Sequence, residues 1–164
     1  MSGSGKSAIA KELRKLGYKA YDVEEIEGLC QMFDKETGKP VIQDNEKLEE
    51  VKQNDWICNK KKLQQIIRKN SKGIVFYSGL VSNLDELFPL FDEVILLKAT
   101  QKTLSKRLTT RTSNDFGRTR EVQEWIFAWK KWWEDKMIKE GAIVIDADQE
   151  LDKVVADIIK KIES

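Results

Sequence analysis

No histidine occurs anywhere in the 164 residues. That removes a Ser-His-Asp triad, a histidine general base and any histidine-containing zinc site. Cysteine and proline each occur only twice. Cys30 and Cys58 stand far apart in helix-like stretches, which predicts reduced thiols packed as small hydrophobes. No apolar run approaches 18 residues and no secretory pattern is present, so no membrane span is predicted and a cytoplasmic location is expected. Excess charge of either sign is also missing. The 29 basic and 28 acidic residues leave a net charge of +1, without a field that would draw nucleic acid or an anionic membrane. Internal repeats and low-complexity segments are absent, and the length suits one domain, residues 1–164, with a sizeable core.

What is present is concentrated at the start. Met1-Ser2-Gly3-Ser4-Gly5-Lys6-Ser7 supplies the last seven positions of the phosphate-binding pattern G-x-x-x-x-G-K-[ST]. Gly3 and Gly5 let the backbone wrap closely around phosphate oxygens. Successive N–H groups then form an anion nest, reinforced by the positive end of the helix that follows. Ser2, Gly3, Ser4, Gly5, Lys6, Ser7 and Ala8 are therefore the predicted phosphate cradle. In it Lys6 reaches the β- and γ-phosphates and Ser7 ligates Mg²⁺. Ile9, Leu13 and Leu16 recur at spacings of four and three, and Gly17 follows, which predicts a helix with a glycine stop.

Such a loop ordinarily follows a buried strand. The expectation is a strand upstream of Met1, in a protein with an earlier start; the competing expectation is a chain that folds with a gap in its sheet. Four apolar segments follow: Tyr18–Val23, Gly73–Gly79, Glu93–Ala99 and Ala142–Ala147. Helical patterns of 10–20 residues separate them, the signature of βαβ units and a parallel sheet. The connection from Val23 to Lys72 is longer than one crossover helix needs. It reads as a helix around Glu24–Phe33, a turn over Asp34–Pro40, and helical pieces around Glu46–Lys52 and Asp55–Lys69. This insertion at about 24–72 is either a second-substrate subdomain or a structural elaboration.

A second concentration of chemistry lies at Thr103–Arg120. Arg107 and Arg111 are four apart and predicted on one helical face, and Arg118 and Arg120 follow Gly117 in a polar loop. Guanidinium groups suit phosphate oxygens and stack on bases; the same residues could form a solvated face paired with Glu121 and Glu124. Trp125, Trp129 and Trp132 are predicted on one stripe, with Ile126, Trp133 and Met137 flanking it. These aromatics are assigned to the core rather than to base stacking.

The Gly-Ser-Gly-Lys-Ser loop, Asp22-Val23-Glu24, the glycine Gly79 closing a strand, and Arg107-Leu-x-x-Arg111 with the loop after it resemble the small P-loop kinases. That family includes shikimate, gluconate, adenylate and other nucleoside-monophosphate kinases. The resemblance implies a three-layer α/β/α fold with a parallel sheet in the order 2-3-1-4-5. Strand 1 there would be missing or upstream of Met1. It also implies a lid at about 112–120. Asp22 corresponds to the acid that helps hold Mg²⁺ through water or activates an acceptor hydroxyl. Arg107 corresponds to the arginine stacked on adenine, Arg111 and Arg118 to phosphate clamps, and Asp146 to the loop bordering the base. Two departures stand out: Asp22-x-Glu24 replaces Asp-x-Asp, and a glycine pair is reduced to Gly79.

The expected function is an ATP-dependent, Mg²⁺-using transfer of the γ-phosphate to an unidentified small-molecule hydroxyl or phosphate acceptor, by a monomer or dimer. Lys6, Asp22, Arg111 and Arg118 form the catalytic set, and Ser7 and Asp22 the metal set. The alternatives are an ATP-binding regulatory module with little catalysis and a kinase of polynucleotide ends, the latter disfavoured by the balanced charge.

Overall fold

The computed structural model describes residues 1–164. The chain packs as two compact units. The first comprises Met1–Gly5, Gln43–Lys52 and Glu93–Ser164; the second comprises Lys6–Ile42 and Gln53–Asp92.

In the second unit, α1 (Lys6–Lys15) leads into β1 (Lys19–Asp22), and β2 (Cys30–Asp34) follows a turn. Then come β3 (Asn54–Cys58), α3 (Lys60–Lys69), β4 (Val75–Ser78) and a short α4 (Leu84–Leu87). α1 buries Ile9, Ala10 and Leu13 and stops at the predicted Gly17, where the Tyr18 N–H bonds the Leu13 carbonyl at 3.0 Å. β1 and β4 pair in parallel, with Asp22 opposite Ser78. Val23, Leu29, Cys58, Leu63, Val81 and Leu87 form the buried centre of this unit.

The Val23–Lys72 connection differs from its sequence reading. The segment read as a helix at Glu24–Phe33 holds β2, and the one read as a helix at Asp55–Lys69 begins with β3. The two strands pair antiparallel from Cys30 opposite Cys58 to Asp34 opposite Asn54. Two short amphipathic stretches carry no decisive period of their own; pairing with each other decides between strand and helix. The turn at Asp34–Pro40 holds as read, with the Asp34 carboxylate accepting from the Thr37 N–H at 2.7 Å and the Glu36 N–H at 3.0 Å.

The first unit contains α2 (Leu48–Gln53), whose last residue falls in the other unit, β5 (Ile95–Lys98), α5 (Gln101–Thr110), α6 (Arg120–Lys139), β6 (Ile143–Asp146) and α7 (Leu151–Glu163). β5 and β6 are parallel neighbours, Ile95 opposite Ile143. Thr100 caps α5 through the Thr103 N–H and Thr119 caps α6 through the Val122 N–H. Met1, Val51, Ala99, Leu104, Val122, Ile126 and Ala147 form the core. Trp125, Trp129 and Trp133 pack against it, each ring edge-on to the next. Trp132 is 65% exposed, so the aromatic stripe runs 125–129–133 and not through 132 as the sequence suggested. The fully turned-in stripe of α6 holds Val122, Ile126, Lys130, Glu134 and Met137. No helix is long and apolar enough to cross a membrane.

Gly79, directly after β4, is required by a close approach. A Cβ there would lie 2.2 Å from Val23 Cγ2. Gly79→Ala is expected to cost about 1–3 kcal/mol through overpacking. Val23→Ala in the same chain should recover part of that loss, because the two side chains share one space. Chemical denaturation of the single and double variants measures it; strictly additive losses would show that the contact does not govern.

Candidate active site

The glycine-rich turn is tied down from within the first unit. The Ser4 hydroxyl donates to the Met1 carbonyl at 2.7 Å, with Ser4 buried beneath the turn. Gly3 has φ +78°, and a Cβ on it would meet the Leu104 carbonyl oxygen at 3.2 Å and Leu108 Cγ at 3.1 Å. Gly5 has φ +97°, yet a Cβ on it would meet nothing within 4 Å. The two glycines thus serve different ends: Gly3 lets the turn lie on α5, and Gly5 leaves its outer side open. An open side beside a left-handed backbone residue fits phosphate oxygens approaching main-chain N–H groups.

In the second unit, Lys6 opens α1, with Ser7 and Ala8 exposed in its first turn. The Ser7 hydroxyl donates to Asp22 Oδ2 at 2.5 Å, across fifteen positions of sequence. Asp22 closes β1 and is itself buried, and its Oδ1 accepts from the Glu24 N–H at 3.1 Å. Both predicted metal residues therefore meet. One hydroxyl and one carboxylate oxygen fit a hard cation such as Mg²⁺, which takes one or two protein oxygens and completes its shell with water and phosphate.

The arginines lie in the first unit. Arg107 is in the last turn of α5 and half-buried. Asp148 hangs over the start of the same helix. It accepts from the Thr100 N–H at 3.0 Å and the Thr100 hydroxyl at 3.1 Å. The Thr103 hydroxyl, helped by Thr100 and by the Arg107 guanidinium, holds the Asp148 carboxyl below its ordinary range. Asp146 ends β6, exposed, and accepts from the Asp148 N–H at 2.9 Å. Arg111 is not on the α5 face beside Arg107. The helix ends at Thr110, and Arg111 caps it with extended backbone, φ −69° and ψ 145°. Its guanidinium donates to the Phe116 carbonyl, folding the following loop back on itself.

That loop, the predicted lid, is anchored on both sides. Gln123, buried in α6, donates to the Gly117 carbonyl at 2.8 Å and accepts from the Ser105 hydroxyl at 2.6 Å. Asn45 donates to Asp115 at 2.7 Å, and Arg118 faces Glu46 at 3.7 Å. Arg120 pairs with Glu124 at 2.7 Å, the solvated-face option raised for it. Sequence reading did not single out Asn45, Glu46, Gln123 or a contact of Asp148 with Arg107. Each pairs with a residue on another element, which no local spacing declares.

Comparison with known proteins gives a family and a fold. Residues 1–128 match the family described as an AAA domain, a group of P-loop nucleoside-triphosphatases. No curated protein matches by sequence. Among solved structures, deoxyadenosine kinase from M. mycoides with bound dATP is similar at a TM-score of 0.56 and 17% identity, covering 100% of this chain and 96% of that one. At that identity the likeness establishes the fold: α/β, with the parallel pairs and flanking helices of a P-loop kinase. β1–β4 and β5–β6 are the 2-3 and 4-5 neighbours of the expected strand order.

Proposed function

This chain belongs to the AAA domain family, and from that premise we propose that it is an ATP-dependent phosphotransferase of small molecules in the cytoplasm. The observation that carries the reading is the Ser7 hydroxyl set 2.5 Å from the buried Asp22 carboxylate, directly after a glycine turn with an open outer side. Phosphoryl transfer needs positioning and charge neutralisation more than covalent chemistry by the protein. The bond between the γ-phosphorus and the ADP oxygen breaks, and one to an acceptor oxygen forms.

Lys6 holds the β- and γ-phosphates as a point charge, and the backbone of Ser2–Gly5 orients them. Ser7 and, through water, Asp22 would hold Mg²⁺, which when bound would neutralise charge on the phosphate oxygens. Asp22, or water beside it, takes the proton that a hydroxyl acceptor releases; the chain has no histidine to do so. Arg111 and Arg118 clamp phosphate oxygens, and Arg107 and Asp146 border the base. The acceptor is a hydroxyl or phosphate of a small molecule. The fold relative's bound dATP and its name as a nucleoside kinase support placing nucleosides and nucleotides first among candidates.

The test is to incubate the purified protein with ATP, Mg²⁺ and pooled nucleosides, nucleoside monophosphates and hydroxylated metabolites, and to weigh the products. A phosphorylated product formed at the expense of ATP supports the assignment. Tight ATP binding without transfer leaves the regulatory module, and neither binding nor transfer overturns both.

A further inference from the structure

Cys30 and Cys58 are separated by 27 residues in the chain yet stand directly opposite each other on β2 and β3. The ladder around them defines the kind of pair. Asn59 N–H bonds the Leu29 carbonyl at 2.8 Å, one position outward on each strand. The N–H and C=O of Cys58 turn the other way, to the Asn83 side chain, at 3.0 Å each. Cys30 and Cys58 are therefore a pair without mutual backbone hydrogen bonds, the type whose opposed Cα atoms come closest, about 4.5 Å. That spacing falls at the narrow end of the range a disulfide spans. Asn83 holds Cys58 from behind through both its main-chain groups, so the register is fixed at this point.

From this geometry we propose that Cys30 and Cys58 form a dithiol site that closes reversibly to a cross-strand disulfide. The two sulfurs differ in exposure, which and not acidity makes Cys30 the first to meet an oxidant, and in acidity, which favours Cys58 as the attacking thiolate of the second step. Cys30 is half-buried and reachable, whereas Cys58 is 1% exposed. The hydrogen bond between the thiols, then burial, raises Cys30, and the Asp22 and Glu24 carboxylates act in the same direction. The same hydrogen bond lowers Cys58.

A hydroperoxide is the matching oxidant class. The Cys30 sulfur takes one oxygen as the O–O bond breaks, and alcohol or water leaves. Cys58, the more acidic thiol, then attacks that sulfur, the S–S bond forms and water leaves, so both thiol hydrogens are accounted for. Because Cys30 is half-buried and not sealed in the core, a disulfide there stays within reach of thiol reductants, the property of a switch and not of a permanent cross-link. The Cys30 sulfur also lies 3.6 Å from the carbonyl of Val23, the residue after Asp22, and oxidation removes the hydrogen it offers there.

The full chain is treated with diamide in its native state, then unfolded for thiol counting and intact-mass measurement. Both thiols are expected to disappear together, the mass to fall by two hydrogens, and the product to stay a single chain that dithiothreitol restores. C30S and C58S are each expected to form no intramolecular product. Loss of only one thiol in the wild-type chain, or a disulfide joining two chains, overturns the site. The wild-type measurement decides the matter even where a variant folds poorly, and it is independent of nucleotide binding.

Discussion

Lys6→Ala is expected to lower ATP-dependent phosphoryl transfer about a hundredfold to a thousandfold, the scale seen when one preorganised charge-stabilising group is removed from a transition state. The residue opens α1, immediately after the turn whose Gly5 leaves its outer side open. It lies outside the buried set, so the loss should come without a comparable loss of stability. Initial rates at saturating ATP and Mg²⁺, beside a thermal melt of the same preparation, separate the two. Unchanged turnover with an unchanged melt would take Lys6 out of the chemistry, and with it the assignment of the turn as a phosphate cradle.

The largest expected effect on stability lies in α6, well away from the turn in sequence. Lys130 and Glu134 are 9% and 4% exposed, with Nζ and Oε1 2.5 Å apart. Lys131 and Asp135, one position on, show the same spacing and the same distance but are solvated. The lysine precedes the acid in both, the weaker orientation for a helical pair, so intrinsic helix pairing adds little to either. Burial decides between them. Removing one partner of the inner pair leaves a charge in the core and should cost about 3–5 kcal/mol, a fall in Tm of roughly 6–20 °C for a chain this long. Glu134→Leu tests this. The double variant Lys130→Met/Glu134→Leu should regain most of the loss, since apolar groups of like volume tolerate the site. The exposed pair should change by no more than about 1 kcal/mol when broken. A single variant as stable as the wild type would show that water reaches the inner pair.

The same helix shows where sequence legibility ends. Spacings of three and four among its apolar residues admit Trp132 to the inner face. The true inner stripe advances mostly by four and runs through two charged residues, which a hydrophobic pattern rejects by construction. The glycine-rich turn, the glycine stop of α1 and the strands of the two parallel pairs were legible because each is written locally, in glycines or in short apolar runs. Asp22 was legible for the same reason, as an acid ending a strand. β2 and β3 were not: strand pairing across a connection of nineteen residues between Asp34 and Asn54 is a non-local choice that neither stretch declares alone. The opposition of Cys30 and Cys58 followed that pairing out of view. Arg111 was misplaced by one helical position, because nothing in Thr109-Thr110-Arg111 marks the end of α5 as a glycine would.

The loop of residues 112–120 is held by two kinds of tie. Gly117 is fixed by the amide of a buried glutamine, and Phe116 packs into the core beside it. Arg118 is held to Glu46 by a water-facing ion pair. Dissolved electrolyte weakens the outer attachment and leaves the inner one alone. The segment therefore has a fixed heel and a releasable toe, and Arg118, one of the two arginines proposed to reach a phosphate, is on the toe.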